Sequence, residues 1–237
     1  MKNSIIALSS FLLLAACDKK EASGNLHITG DIKGLKKGTL YIQRFDNNNY
    51  ISMDTINIDG QSTFESNLTI DSPEMLYLHL DRGTTNSLDN KILFFAEPGT
   101  ISIKTNLEHY LADAKITGSK NQDIYQEYKS LASKMNDENL SLIEAKFYAA
   151  KFQQTAKLDS INNKVAQNTK RKYLYTANFA VNHKDAEVTP YIVLTEIPDI
   201  NIKYLDTIQS TMSPKVAKSF YGKQLISYIR EVKNHNK

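Results

Sequence analysis

One thiol, five imidazoles and a few carboxylates at turn positions are the side chains with which this 237-residue chain would do covalent, metal or acid–base chemistry. Cys17 is the only cysteine, so no second thiol exists for a disulfide or a Cys-x-x-Cys redox pair. His27, His79, His109, His183 and His235 are scattered, and no two stand at the i, i+4 spacing that puts two zinc ligands on one helix face. No metal and no cofactor is therefore expected. The nine glycines sit mostly at turns and form neither a phosphate-cradling loop nor a dinucleotide fingerprint, and no Gly-x-Ser-x-Gly elbow presents a serine nucleophile. Asp54, Asp59 and Glu97 flank strand ends, where a sheet rim would gather an acid and a base. Each also has a local role: Asp59 in an Asp-Gly turn, Glu97 beside Pro98-Gly99, and Asp54 in cross-strand polar spacing. Tyr41, Tyr50 and Tyr77 fall in strand segments, where they either pack across strands or line an aromatic groove for a glycan or peptide.

The amino terminus carries a different kind of chemistry. Lys2 provides a positive start, Ile5 to Leu14 an apolar run, and Leu14-Ala15-Ala16-Cys17 ends it with small residues before the cysteine. Ten helical residues cover roughly 15 Å, half of a hydrocarbon core of about 30 Å, too little for a lasting span. The run Leu14-Ala15-Ala16-Cys17 resembles the bacterial lipobox. That resemblance implies cleavage before Cys17, with the cysteine lipidated and its thiol consumed. Two or more acyl chains hold a protein stably at a membrane, so the expected location is the bacterial cell envelope, on the periplasmic face or the cell surface. Asp18 to Asn25 is polar, carries both charges and reads as a tether reaching roughly 25 Å.

The elements that position these groups follow from periodicity. Removing 16 residues leaves about 220, enough for one large or two small domains. With 41% hydrophobic and 23% charged residues the composition is ordinary globular material, and a net charge of +3 with mixed signs gives no footprint for nucleic acid. Lys170-Arg171-Lys172 is the only dense basic spot and reads as a solvated helix face. From Leu26 to Ser119, seven or eight alternating segments separated by turns predict an antiparallel β-sandwich or barrel, with Asp59-Gly60 as a hairpin turn. From Asn121 the period becomes helical. Ile124, Tyr128, Leu131 and Met135, then Leu140, Ile143, Phe147, Ala150, Leu158, Ile161 and Val165, carry the stripe of a helical hairpin ending near Asn182, its second arm long and bent near Asn168-Thr169. Thr189-Pro190 predicts the N-cap of a short helix that Pro198 stops, and Ser213-Pro214 the start of a final helix towards Val232 with Gly222 as a weak point. The class is α+β, divided as a signal peptide (1–16), a tether (17–25), a β-rich domain (26–119) and an α-helical region (120–237).

Three stretches, Met53 to Phe64, Phe94 to Ile103 and Thr117 to Asn121, resemble the domain of unknown function 4369 family. In that family a β-rich domain and a helical segment precede a thioredoxin-like domain in exported lipoproteins of the Bacteroidota. The resemblance implies a fold and carries no catalytic residue. It also implies a thioredoxin-like partner domain which, this chain stopping at Lys237 without redox cysteines, is absent, encoded separately or lost. The leading expectation is a non-catalytic, membrane-anchored lipoprotein that acts as a binding or scaffolding module, its partner an envelope protein, peptide or glycan. The alternatives are an accessory or truncated remnant of an envelope thiol-disulfide oxidoreductase, and a hydrolase using rim carboxylates.

Overall fold

Alternation of inward and outward residues, with a continuous apolar run in the sixth, makes strands of β1 (Leu26–Lys33), β2 (Lys37–Asp46), β3 (Asn49–Asp59), β4 (Thr63–Leu68), β5 (Glu74–Asp81), β6 (Lys91–Ala96), β7 (Gly99–Asn106) and β8 (Lys115–Thr117). The computed structural model of the chain describes residues 24–46, 48–83 and 87–235; Cys17 and the expected signal lie outside them. The strands form two four-stranded sheets, ordered β4-β1-β7-β8 and β3-β2-β5-β6. Their facing sides bury Leu26, Ile28, Leu40, Leu78, Phe94 and Ile103 in one core. Each such side chain contributes about 1.5–3 kcal/mol by leaving water. Asn25, expected at the end of the tether, already belongs to the sandwich: its amide donates to the Ile70 carbonyl at 2.8 Å and accepts from the Ile70 N–H at 3.0 Å.

Two details depart from a simple antiparallel reading. β1 and β7 run parallel, which is possible because the whole second sheet lies between them in sequence and supplies the crossover. Gly60 is a corner and not a hairpin turn. β3 pairs with β2 and β4 with β1, so the chain changes sheets at Gly60, whose φ of 86° suits glycine and whose N–H donates to the Lys36 carbonyl at 2.8 Å. The side chain of Asp54 then accepts from Ser66 Oγ and joins β3 to β4 along that edge.

Helices form a third layer against the outer side of the second sheet. α1 (Lys120–Lys151) and α2 (Thr155–Asn182) are the expected hairpin, but its turn lies at Phe152 to Gln154, so the arms are nearly equal, and α2 runs unbroken through Asn168. Asn168 is buried and donates to the Met135 carbonyl of α1 at 2.8 Å, a tie across the hairpin. The inner face of α1 follows the expected stripe only in its first turns, at Ile124, Tyr128 and Met135. Tyr128, Ala132 and Ala149 are buried, whereas Leu131, Leu140, Ile143 and Phe147 are exposed. Tyr128, Ala132, Met135, Asn139 and Leu142 keep the 4-3-4-3 spacing of a coiled-coil seam, and Ala149 follows seven residues on.

Four shorter helices, α3 (Val188–Glu196), α4 (Ile202–Thr211), α5 (Pro214–Lys218) and α6 (Phe220–His235), complete the layer around Val193, Leu205, Ile208, Val216 and Leu225. α3 begins before Thr189, whose hydroxyl donates to the His183 carbonyl and does not cap; the Val188 N–H is satisfied by Asn121 Oδ1 of α1 at 3.0 Å. Ser213 caps α5 as expected, but the final helix breaks at Ser219, whose Oγ accepts from the Gly222 N–H at 3.2 Å and so starts α6. Gly222 is the reason that the break closes tightly: a Cβ there would stand 1.9 Å from the Val216 carbonyl oxygen. Among the described residues no helix is long and apolar enough to cross a membrane. Gly222→Ala is expected to destabilise the fold by about 2 kcal/mol or more through overpacking against backbone. Urea unfolding measures this, and an unchanged midpoint would show that α5 and α6 separate for another reason.

Candidate functional site

The outer face of β3-β2-β5-β6 is only partly covered by helices, and its open part carries the aromatic residues. Register places Tyr41 opposite His79, and His79 opposite Lys91; the next row holds Ser52, Gln43, Tyr77 and Leu93, and Phe45 faces Tyr50. A β-bulge sets this arrangement. The register slips between Ile42 and Gln43, leaving Met53 unpaired on β3. Asp54 therefore faces inward to Ser66, while Ser52 and Tyr50 beyond the bulge turn outward.

Tyr50 spans the face. Its ring lies 5.0 Å from Phe45 and 5.1 Å, edge-on at 90°, from Tyr77, two strands away; Lys91 Nζ, from the far strand, sits 3.5 Å from its centroid. Beneath this roof Gln43 is 9% exposed. Its Nε2 donates to Ser52 Oγ at 3.4 Å, while its Oε1 has no hydrogen-bond partner, and neither has His79 Nδ1. Buried polar atoms without partners are uncommon, because each forfeits its hydration without compensation. Burial holds the His79 imidazole below its ordinary pKa, Lys91 pushes the same way and Asp81 opposes, so the ring is neutral at neutral pH. Burial, with Tyr50 adding to it, raises the Tyr77 phenol. The face thus offers aromatic platforms and a cation held over a ring, and it buries two polar atoms without partners beneath them. Helices frame one side: Tyr125 of α1 is pushed up to about 12 by burial and meets Tyr191 of α3 at 6.1 Å, and Tyr221 of α6 accepts the Met75 N–H at 3.1 Å.

The carboxylates do not converge. Glu97 caps α1, its Oε1 accepting from the Lys120 N–H and its Oε2 from Asn121 Nδ2, both at 2.5 Å. It lines a cavity of about 300 Å³ with Asn121, Glu187, His183 and Lys215. There Glu187 accepts from Asn121 Nδ2 at 3.2 Å and from Lys215 Nζ at 2.7 Å, a network that joins sandwich to helices. Asp54 is engaged by Ser66 and by the Thr55 N–H, and Asp59 stands exposed at the sheet corner. In the basic cluster, Arg171 pairs with Glu138 and Lys172 with Glu196, so two of its three charges join helices and do not form a free cationic face.

Of the residues singled out by sequence, Tyr50 and Tyr77 meet directly, and Tyr41 lies beside His79 with ring centroids 5.9 Å apart. Gln43, Phe45, His79 and Lys91 are missed by residue type alone. Parity along β2 and β5 carries the signal, since Tyr41, like Tyr77 and His79, stands between buried aliphatic residues and Gln43 follows buried Ile42. His79 is expected to titrate below the ordinary histidine value of about 6.5, and Lys91→Met is expected to move it upward. Because protonation then favours the unfolded chain, this residue's contribution to stability is complete above about pH 6.5 and is lost as pH falls towards the folded-state value. Imidazole proton shifts followed by NMR across pH 4–8 test both statements, and a titration in Lys91→Met unchanged from wild type would refute the coupling.

No curated protein and no solved structure matches the chain. Residues 26–125 match the family described as Domain of unknown function (DUF4369), a span that takes in all eight strands, the Glu97 cap and the first residues of α1 as far as Tyr125. The sandwich and the helix start that closes it are therefore the part of the chain that is similar to the DUF4369 family.

Proposed function

We propose that this protein is a non-catalytic lipoprotein, held at the cell envelope through Cys17, that binds a neutral glycan on the open aromatic face of its second sheet. The observation that carries the reading is Gln43. Its amide is buried with Oε1 unpaired, one row along the sheet from His79, whose Nδ1 is unpaired too. A sugar hydroxyl both donates and accepts, so with the Tyr50 ring swung aside it satisfies these buried atoms whichever way the amide is turned and whichever imidazole nitrogen carries the proton. The Tyr50, Tyr77 and Tyr41 rings match the C–H faces of a pyranose, and Lys91, already engaged over Tyr50, leaves the face without a strong charge demand. Attachment is supported by Lys2, the apolar run from Ile5 and the Leu14-Ala15-Ala16-Cys17 sequence.

The two halves of the proposal are tested separately. Full-length protein produced in a bacterium fed a radiolabelled fatty acid is expected to take up label and to fractionate with membranes, both lost in Cys17→Ala. Label that survives in Cys17→Ala would end the anchoring claim. For binding, the protein immobilised through its amino terminus is exposed to solubilised envelope polysaccharide and peptidoglycan fragments. Tyr50→Ala or Gln43→Leu is expected to weaken retention at least tenfold, corresponding to about 1.4 kcal/mol. Retention equal in wild type and both variants, or none above an uncoated surface, would remove the aromatic face as the site.

A further inference from the structure

The aromatic face of the second sheet is shut over its own polar groups. Gln43 stands two residues from Phe45 along β2 and opposite Tyr77 on β5. The Tyr50 ring meets both of these neighbours, at 5.0 and 5.1 Å, so it lies across the glutamine and leaves it 9% exposed. Those two ring contacts, with Lys91 Nζ 3.5 Å from the Tyr50 centroid, hold the ring in place, and among the described residues the Tyr50 phenol has no hydrogen-bond partner. Such a hold is weak. A cation over a part-exposed ring shifts an equilibrium by only about two- to fivefold, and an aromatic pair by about two- to tenfold.

Closure also has a cost. With the face shut, Gln43 Oε1 and His79 Nδ1 have neither water nor a protein partner. Each regains a hydrogen bond when the ring leaves, so much of what the closed state gains in ring contacts it loses in hydration. The path out is open: β3 is an edge strand and Tyr50 is itself 37% exposed, so a change of χ1 carries the ring off the sheet with no strand in its way. Lys91, on the opposite edge strand β6, returns its ammonium to water in the same movement. We infer, resting on the reading of this face as a glycan site, that Tyr50 is its lid and Lys91 the latch that holds the lid shut. The ligand binds only the open fraction, with the Tyr50 ring swung to the β3 side as one wall of the site, and its apparent affinity is reduced by the fraction that stays closed. Lys91 therefore acts against binding, although it sits among the residues that form the face.

The test uses the chain from residue 17 carrying Cys17→Ser, which keeps every described residue. Without ligand, the Gln43 carboxamide exchanges its protons with water through the open state, so its exchange rate, read by NMR at about pH 7.5 where His79 is neutral, follows the open fraction. Lys91→Met, which keeps the stem and removes the charge, is expected to raise that rate about threefold, and Lys91→Arg, which keeps a cation over the ring, to restore the wild-type rate. Tyr50→Leu is expected to raise it at least about tenfold. A rate unchanged in Tyr50→Leu overturns the lid, and one unchanged in Lys91→Met, or raised equally in Lys91→Arg, overturns the latch. With solubilised envelope polysaccharide and peptidoglycan fragments as the probe, Lys91→Met is expected to be retained about threefold more strongly than wild type. Weaker retention would make Lys91 a contact to the ligand and overturn the latch. Faster exchange with no retention of either protein above an uncoated surface would uphold lid and latch and end the glycan reading alone.

Discussion

The side chain of Asn121 is the point on which the two halves of the molecule depend. Its Nδ2 donates to Glu97 on the sandwich and to Glu187 before α3, and its Oδ1 accepts from the Val188 N–H. One buried amide therefore fixes where α1 leaves the sheet and where α3 begins. The adjacent Gln122 completes the join by accepting the Phe95 N–H at 2.7 Å, a backbone donor on the edge strand β6 that would otherwise be left open. Apolar burial between Phe95, Met75, Tyr128, Val188 and Ile192 supplies most of the stabilisation at this interface but is indifferent to register. The amides supply the direction, since each bond is made at one placement of α1 and at no other.

That join also explains why the second sheet has two kinds of outer surface. The Met75 and Phe95 end lies under α1, α3 and α6, and the Tyr41, Gln43 and Tyr77 end does not, because the helices are held by Asn121 and Gln122 at the β6 side. An uncovered sheet face of aliphatic residues would be an aggregation hazard. Here the open end carries tyrosines and a lysine over a buried glutamine amide and a half-buried histidine, so rings and polar groups rather than aliphatic side chains cover the strands. The β3 edge is restrained by the bulge at Met53 and by Asp54 holding Ser66, so the sandwich does not present a long flat edge to another chain.

What could be read from sequence divides along the same physical lines. Strands with period two, their turns, and the change to helix at Asn121 are local patterns, and they were legible. Gly60 as a corner and the parallel β1–β7 pair were not, since both depend on which strands meet across the whole sandwich. The inner face of the hairpin is legible at Tyr128 and Ile161 but not towards the turn, where the seam is made of small and polar residues, Asn139, Ala145 and Ala149, whereas the more hydrophobic Leu140, Ile143 and Phe147 face outward. Hydrophobicity ranks residues, but it does not say which face the partner helix covers. The site behaves similarly. Tyrosines in strands could be named from sequence, but Gln43 and His79 enter it through register, and Tyr50 reaches it only because one extra residue reverses the facing of β3.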